Sequence, residues 1–398
     1  MGPPPLSDPA DIVRVFETDA RALGFDLCAI APANALQDDL IAYRDQVARG
    51  RLRGMDWLNE DRAIAFEPAR LVEDARSVIV LAMAYYTPDG TPTSGPRGRV
   101  ARYARGRDYH HTIRPKLRKL AARLEELVGR PIRARLFVDS GPLAERAVAR
   151  AAGLGWVGKN TLLLTHRLGS WAFLGAIVTD VGLPVGSPLA TTCGACDRCL
   201  RACPTDAFPE PYVLDATRCI SYLTIEHRGA IPAALREQVG EWILGCDICQ
   251  EVCPVNRKAF AASLEDFAPR GNLDGGVELL PLLDLDQAAF DERFRGSAIR
   301  RAKRDGFVRN VALALGNAAD ETAVPALART LRNDSSSVVR GQAAWSLGRI
   351  GGPEALAALE AADDPDPDVR AEIVEALRLL RMHRYDGDRI VARAILGL

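Results

Sequence analysis

The 398-residue sequence lacks a long hydrophobic run and an excess of either charge. No apolar stretch approaches the roughly 18 residues that span a bilayer. The 51 basic side chains balance 52 acidic ones, so the net charge is −1. No N-terminal segment combines a basic start with an apolar core, as an export signal does. We therefore expect a cytoplasmic protein with no membrane partner and no overall basic field for nucleic acids.

Two local stretches depart from that neutral average. Residues 102–119 contain seven basic side chains and one acid, Asp108, and residues 293–309 contain seven basic side chains and one acid, Asp305. Exposed helix faces often have this composition. The stretches therefore leave two interpretations open, a solvated surface or contacts with the phosphates of a nucleic acid.

The sequence also lacks the common phosphate-binding motifs. Residues 153–160 (GLGWVGKN) are rich in glycine but match neither GxxxxGK[ST] nor GxGxxG. Close approach of the backbone to a large flat cofactor would also favour glycine here. Asp108-Tyr-His110 begins like the cobalt-binding motif Asp-x-His-x-x-Gly, but Ile113 replaces its glycine. The sequence therefore does not contain this cobalt-binding motif, and we expect His110 and His111 to contact phosphate or solvent.

Cysteine is concentrated in one region. Eight of the nine cysteines form two linked runs, and the first run ends in Cys203-Pro204. Its C-x2-C-x2-C-x3-C-P spacing matches bacterial two-cluster ferredoxins, in which the cysteine before proline ligates the other cluster. Eight thiolates also suffice for two cubanes with four ligands each. We therefore predict two 4Fe–4S clusters, one on Cys193, Cys196, Cys199 and Cys253, the other on Cys203, Cys219, Cys246 and Cys249.

Two other uses of these cysteines are structural zinc and disulfides. Zinc prefers separate CxxC pairs and does not need the interlocked spacing with proline. Disulfides suit small secreted chains. The ninth cysteine, Cys28, lies in an apolar stretch and is expected in a hydrophobic core.

Strands and helices alternate up to about residue 185. Apolar runs predict strands at 25–30, 77–86, 132–138 and 171–179, and helical periodicity predicts helices at 10–23, 113–128 and 143–152. This alternation indicates an α/β fold. We predict an α/β domain at 1–185, a ferredoxin-like two-cluster domain at 186–265, and a linker with helical repeats at 266–398.

The C-terminal part repeats itself. Residues 308–316 (VRNVALALG) recur at 339–348 (VRGQAAWSLG) and 369–377 (VRAEIVEAL), at spacings of 31 and 30 residues. A second helix is predicted within each period, so neighbouring helix pairs must stack to bury their apolar faces. The pattern resembles short HEAT-like repeats, which are usually binding modules; a purely structural cap is the alternative.

An acid follows one of the predicted strands. In residues 136–143 (LFVDSGPL), Asp139 comes after an apolar run and before a Gly-Pro turn. In open α/β sheets ligands bind outside the carboxyl ends of strands. A partly desolvated acid there would have a raised pKa and could donate a proton near neutral pH. The alternative is that Asp139 or Ser140 caps the next helix, and the sequence does not decide between the two.

Several segments together resemble the epoxyqueuosine reductase family. They are RYARGRDYH (102–110), FVDSGPLAERAVARAAGLGWVGKN (137–160), the split eight-cysteine pattern and AIRRAKRDGFVRN (298–310). The resemblance covers nearly the whole chain. It implies an iron–sulfur enzyme whose α/β domain binds cobalamin. Such an enzyme removes the epoxide oxygen from epoxyqueuosine at the wobble position of tRNA, the last step of queuosine synthesis.

The resemblance also implies roles for individual residues. Asp139 matches the proton donor of the family. Contacts with cobalamin are expected from Arg62, Asp139, Lys159, Asn160 and Ser221. Contacts with tRNA are expected from Arg105, Lys116, Tyr222, Arg300, Arg301, Lys303 and Arg304. We also expect a monomer that receives electrons from a donor such as flavodoxin or ferredoxin.

Two rival functions share some of these features. A reductive dehalogenase also uses cobalamin and two clusters, but it normally carries a twin-arginine export signal and does not need repeats or basic helices. A non-catalytic electron carrier would use the repeats to dock a reductase and would leave Asp139 as a helix cap. Cobalamin binding, followed by absorbance, separates the enzymes from the carrier.

Overall fold

The computed structural model describes residues 5–90, 95–271, 273–274 and 276–396, and the side chains as far as residue 382. Within these ranges the strands are β1 Leu27–Pro32, β2 Ser77–Ala84, β3 Arg97–Val100, β4 Ala134–Phe137, β5 Trp156–Val157, β6 Leu163–Leu164, β7 Ala172–Thr179, β8 Trp242–Leu244 and β9 Val277–Glu278. The helices are α1 Pro9–Ala22, α2 Gln37–Ala48, α3 Tyr109–Val128, α4 Glu145–Ala151, α5 Arg198–Arg201, α6 Ile220–Ile225, α7 Ala233–Val239, α8 Ile248–Glu251, α9 Leu280–Leu283, α10 Gln287–Arg293, α11 Lys303–Ala318, α12 Val324–Asn333, α13 Ser337–Ile350, α14 Gly352–Glu360 and α15 Pro367–Leu396.

The chain packs into two compact units that alternate along the sequence. The first comprises Met1–Pro88, Arg102–Cys219 and Asp247–Arg270. The second comprises Asp89–Ala101, Ile220–Cys246 and Gly271–Leu398. These units do not follow the expected boundaries at residues 185 and 265, so the division into 1–185, 186–265 and 266–398 stays a prediction.

The first unit is built on a four-stranded sheet in the order β1-β2-β7-β4. Every neighbouring pair in it is antiparallel. The strands and helices expected from periodicity are all present, with shifts of a few residues at their ends. The rule that ligands bind outside the carboxyl ends of strands, however, applies to parallel sheets. Here only β2 and β4 end at the edge where β7 begins, and Asp139 follows β4 at that edge.

Helices cover both faces of this sheet, which gives the expected α/β layers. Strand β2 is buried along its whole length. Its alternate residues enter two separate cores, because successive side chains of a strand point to opposite faces. Ile79, Leu81 and Met83 pack with α1 and α3, whereas Val78 and Val80 pack with α4. Helix α3 ends at Gly129, whose φ of 68° is the left-handed conformation typical of a C-terminal glycine.

The second unit contains a small sheet and the helical repeats. The sheet has the order β8-β3-β9. Helices α11, α13 and α15 carry the three repeated segments, with α12 and α14 between them, as the sequence predicted. Small residues allow these helices to pack closely: a Cβ at Gly348 would lie 2.7 Å from the Cβ of Ala376. Among the helices described, none combines the length and apolarity needed to cross a bilayer.

Candidate active site and cluster segment

Asp139 lies in a tight turn between β4 and α4. Its backbone has a φ of 55°, a left-handed conformation that few residues other than glycine, asparagine and aspartate adopt. The residue at the N-cap of α4 is Ala144, and no side chain caps that helix. The helix-cap interpretation of Asp139 and Ser140 is therefore wrong. The Asp139 side chain is also 70% exposed, so the expected desolvation of this acid is wrong as well.

The first turn of α3 supplies neighbours for Asp139 that sequence reasoning missed. Burial, and then the nearby Asp139 carboxylate, raises the pKa of Tyr109 far above its usual value. The Tyr109 ring stacks on Phe173 of β7, with centroids 4.4 Å apart. His110 Nε2 lies 3.9 Å from Asp139 Oδ2. The sequence signal for this contact is the Asp-Tyr-His segment at 108–110, which begins like a cobalt-binding motif but lacks its glycine.

His110 is held in place from its other side. Its Nδ1 lies 2.7 Å from Asp108 Oδ1, and its backbone N–H donates to the same oxygen at 3.0 Å. Asp108 is the N-cap of α3. Hydrogen bonds from His110 hold the pKa of Asp108 below its usual value although partial burial opposes them. Asp108, His110 and Asp139 therefore form a carboxylate–imidazole–carboxylate array.

A second acid, Glu145, lies near Asp139 at the start of α4. The pKa of Glu145 is raised to about 7, chiefly by burial and in part by the Asp139 charge, while Arg62 opposes the change. Oε1 of Glu145 is buried without a hydrogen-bond partner in the described structure. Arg62 Nη2 donates to the carbonyl oxygen of Gly141 at 2.5 Å and so stabilises the turn that contains Asp139. No pattern in the sequence signals a role for Glu145.

The glycine-rich segment forms the β5–β6 hairpin. A Cβ at Gly155 would lie 2.2 Å from the carbonyl oxygen of Leu164, so packing within the protein requires this glycine without any cofactor. Lys159 Nζ donates to the carbonyl oxygen of Gly194 at 2.8 Å. Asn160 is buried, and its Nδ2 has no hydrogen-bond partner within the described residues, nor does Nε1 of nearby Trp156.

Four of the predicted cluster cysteines lie close together in the first unit. Burial, and then the charges of Cys193 and Cys253, raise the pKa of Cys199. Burial likewise raises the pKa of Cys253, to which Cys193 and Cys196 contribute. These are the four cysteines assigned to one cluster. Cys253 precedes the short 3-10 helix Pro254–Lys258.

The remaining cysteines differ in their surroundings. Cys203, Cys219 and Cys249 belong to the first unit and Cys246 to the second, and their assignment to a second cluster stays a prediction. No disulfide joins any of the nine cysteines. Burial raises the pKa of Cys28 to about 12, as expected of a core residue. In the described part of the chain, no three His, Cys, Asp or Glu side chains could hold a single metal ion.

Several basic residues of the two charged stretches are buried. Arg105 is only 2% exposed, and Arg304 is 7% exposed. Arg304 is paired with Asp334, and Arg309 donates to the carbonyl oxygens of Leu223, His227 and Gly229. The predicted phosphate contacts of Arg105 and Arg304 are therefore wrong, because a phosphate cannot reach buried guanidinium groups.

Other predicted tRNA contacts remain accessible. Arg300 and Arg301 lie in the 3-10 helix Ala298–Ala302 and are about half exposed while paired with Asp291 and Glu226. Lys303 is exposed at the start of α11. The other two predicted tRNA contacts are half-buried. Lys116 Nζ donates to the carbonyl oxygen of Leu23 at 2.6 Å, and Tyr222 packs near His227. Ser221, which is predicted to contact the cofactor, is half-buried as well.

Three family descriptions match successive parts of the chain and define a multi-domain iron–sulfur oxidoreductase. "Epoxyqueuosine reductase QueG, DUF1730" matches residues 66–140. "4Fe-4S double cluster binding domain" matches residues 192–256, and "HEAT repeats" matches residues 295–378.

Known proteins resemble the chain over most of its length. The epoxyqueuosine reductase of Xanthomonas campestris pv. campestris is 43% identical over 350 residues, which are 86% of this chain and 98% of the relative. The chain belongs to the epoxyqueuosine reductase family.

Solved structures of the family share the fold. An epoxyqueuosine reductase with an epoxyqueuosine-modified tRNA stem loop superposes with a TM-score of 0.87 at 32% identity, covering 94% of this chain and 100% of that chain. The Bacillus subtilis enzyme, with an aspartate-bearing catalytic loop swung out of the active site, gives 0.86 at 31% identity with the same coverage.

Proposed function

We propose that this chain reduces epoxyqueuosine in tRNA to queuosine, the final step of queuosine synthesis. Family membership supports the proposal, and so does one structural observation. Asp139 and the thiols of Cys193, Cys196, Cys199 and Cys253 belong to the same compact unit. An accessible acid and a set of thiols with ferredoxin spacing supply protons and electrons, which are the two requirements of a reductive deoxygenation.

The reaction determines how many electrons and protons the site must supply. Loss of the epoxide oxygen breaks two carbon–oxygen bonds, forms one carbon–carbon double bond and releases water. It therefore consumes two electrons and two protons. A one-electron donor such as flavodoxin or ferredoxin would deliver the electrons singly, and two 4Fe–4S clusters would pass them on. Asp139 would hold a proton at its carboxyl for the oxygen that leaves.

Cobalamin would bind beside the β5–β6 hairpin of the first unit. Buried N–H groups are rarely left without an acceptor, yet Asn160 Nδ2 and Trp156 Nε1 have none among the described residues. Asn160 would hold the cofactor together with Arg62, Asp139 and Lys159. In its reduced state cobalamin would supply the electron-rich centre that the reaction needs.

The substrate would be a tRNA whose anticodon loop carries the modified base. A relative crystallised with a modified stem loop supports this partner. Exposed cations at Arg300, Arg301 and Lys303 would contact phosphates, as would exposed Arg118 and Lys119 of α3. Lys116 would add a further phosphate contact, and Tyr222 would contact the tRNA. We place the enzyme in the cytoplasm, where tRNA is modified, and expect a monomer.

The decisive experiment follows the mass of the nucleoside. Protein reconstituted anaerobically with iron, sulfide and cobalamin would be incubated with a reductant and tRNA that carries epoxyqueuosine. After digestion, mass spectrometry should show a nucleoside that has lost one oxygen, and omission of cobalamin should prevent the loss. If the nucleoside keeps its oxygen although both clusters and cobalamin are bound, the proposal is wrong.

A further inference from the structure

One acid cannot by itself satisfy the proton demand of the proposed reaction. Each turnover consumes two protons, whereas a carboxyl such as Asp139 carries one. Asp139 must therefore be recharged during or after every cycle. The source of that proton determines how the rate depends on pH.

His110 is placed to recharge Asp139. Its Nε2 lies 3.9 Å from Asp139 Oδ2, and the Asp139 side chain is 70% exposed. Its Nδ1 lies 2.7 Å from Asp108 Oδ1. A carboxylate on Nδ1 keeps a hydrogen there and stabilises the imidazolium, which directs the transferable proton onto Nε2. The ring also stacks on Tyr109, with centroids 4.3 Å apart, and this contact fixes its plane.

We propose that His110, oriented by Asp108, passes protons from solvent to Asp139 during turnover. The proposal rests on the proposed function, because it assigns a role within that reaction. The proton leaves Nε2 of the imidazolium and arrives on an Asp139 oxygen, after which Nε2 takes a proton from water. No electron moves in this step. His110 acts through Asp139 and does not need to touch the substrate.

The charged and titratable groups around this pair come from three places. Asp108, Tyr109, His111 and Arg114 belong to the start of α3, and Arg114 Nη2 donates to Ser140 Oγ at 3.1 Å. Asp139 follows β4, and Glu145 begins α4. His111, the next residue in the chain, is exposed and serves as a matched control.

The first test is kinetic. His110→Gln should lower kcat by about tenfold to a hundredfold, less than a directly acting acid–base group contributes, because water can still recharge Asp139 slowly. KM for tRNA, iron content and cobalamin uptake should not change. The loss should grow as pH rises, and added imidazole should restore activity to His110→Ala. His111→Gln should behave like the wild type at every pH.

Two kinetic results would overturn the proposal. One is a wild-type kcat and pH profile for His110→Gln. The other is a slow His110→Ala enzyme that imidazole does not restore, since this would indicate a purely structural role. If Glu145→Gln slows turnover while His110→Gln does not, Glu145 is the proton source instead. A wild-type enzyme that leaves epoxyqueuosine untouched would instead contradict the proposed function.

A second test does not depend on activity. The chain has five histidines, so the imidazole NMR signals of labelled protein can be assigned by substitution. Asp139→Asn and Asp108→Asn should each shift the ring resonances of His110 at constant pH, because each replaces a carboxylate beside one of its ring nitrogens. The ring resonances of His111 should not respond to Asp139→Asn. If Asp139→Asn leaves the His110 resonances unchanged, the two residues are not coupled and the proposal fails.

Discussion

Arg304 and Asp334 form a buried ion pair between helical repeats. Nη1 of Arg304 donates to Asp334 Oδ1 at 2.7 Å, and Nη2 donates to Oδ2. The two side chains are only 9% and 4% exposed. Arg340 and Asp364 form a second buried ion pair in the repeats, with an Nε–Oδ2 distance of 2.6 Å. Arg304 therefore belongs to the framework of the repeats and not to the surface available for tRNA.

We expect Arg304→Met to destabilise the protein without changing how it binds tRNA. The substitution leaves Asp334 buried without its partner, which typically costs about 3–5 kcal/mol. Chemical denaturation should show this loss, whereas the salt dependence of tRNA binding should stay the same. Lys303→Met, at the exposed neighbouring position, is the matched control and should show the reverse. An Arg304→Met protein as stable as the wild type would contradict this role.

The exposed cations beside Arg304 should affect tRNA binding instead. Combined replacement of Arg300, Arg301 and Lys303 by alanine should weaken binding and flatten the plot of log K against log salt. The slope should change by about 1–2, less than three full phosphate contacts would give, because Arg300 and Arg301 also pair with acids. Titrations at several salt concentrations would measure it. A triple variant with an unchanged slope excludes these contacts.

A control for nonspecific charge loss is available on α1. Arg14 and Arg21 are exposed and take part in similar ion pairs within their helix. Their replacement by alanine should leave the slope as it is in the wild type. If both sets of substitutions flatten the slope equally, the effect reports total charge and not a contact surface.

Local patterns in the sequence predicted most elements of the fold. The apolar run at 77–86 became a strand buried on both faces, and the repeats at 308, 339 and 369 became α11, α13 and α15. The antiparallel order of the first sheet was not predictable, since alternating strands and helices do not specify how strands pair. The charge composition led to wrong predictions for Arg105 and Arg304, because it counts arginines without showing which of them are buried.

The candidate site was only partly predictable for a similar reason. Asp139 was found because it follows a strand directly. Tyr109 and His110 reach it through packing of α3 on β7, where Tyr109 stacks on Phe173, 64 positions further along the chain. Nothing local in the sequence signals such a contact. Glu145 was missed because its unusual environment arises from burial and from the nearby Asp139 charge.

The environment of Glu145 predicts a pH-dependent stability. Its pKa is raised from 4.5 to about 7 in the folded state, so the folded protein binds more protons than the unfolded chain between these values. Stability contributed by this group is therefore lost as pH rises through that window. Glu145→Gln should remove the loss and stabilise the protein at pH 8 relative to wild type by on the order of 1–3 kcal/mol, with a smaller difference at pH 5.

Thermal melts at both pH values would measure this effect. Glu241→Gln, at an exposed position, is the control and should change Tm little at either pH. If Glu145→Gln melts at the same temperature as the wild type at pH 8, the pKa of Glu145 is not raised in solution.

Iron content can test how the cysteines divide between two clusters. Cys199→Ala should lose about half of the iron, because each cubane needs its own four ligands. Adding Cys253→Ala should cause no further loss, since both residues are assigned to the same cluster. Adding Cys219→Ala instead should remove nearly all of it. Cys28→Ala, at the half-buried ninth cysteine, should retain full iron. A Cys199→Ala/Cys219→Ala protein with half its iron would require a different assignment.

Asp139→Asn separates chemistry from structure at the turn after β4. Asparagine tolerates the φ of 55° found at this position, and the side chain is 70% exposed. Folding stability should therefore change by less than about 0.5 kcal/mol, and iron content and tRNA affinity should be retained. Because an amide cannot donate the proton, kcat should fall by about 10²–10⁴. Single-turnover assays would measure the loss, and an Asp139→Asn enzyme that turns over at the wild-type rate would falsify the proton-donor role.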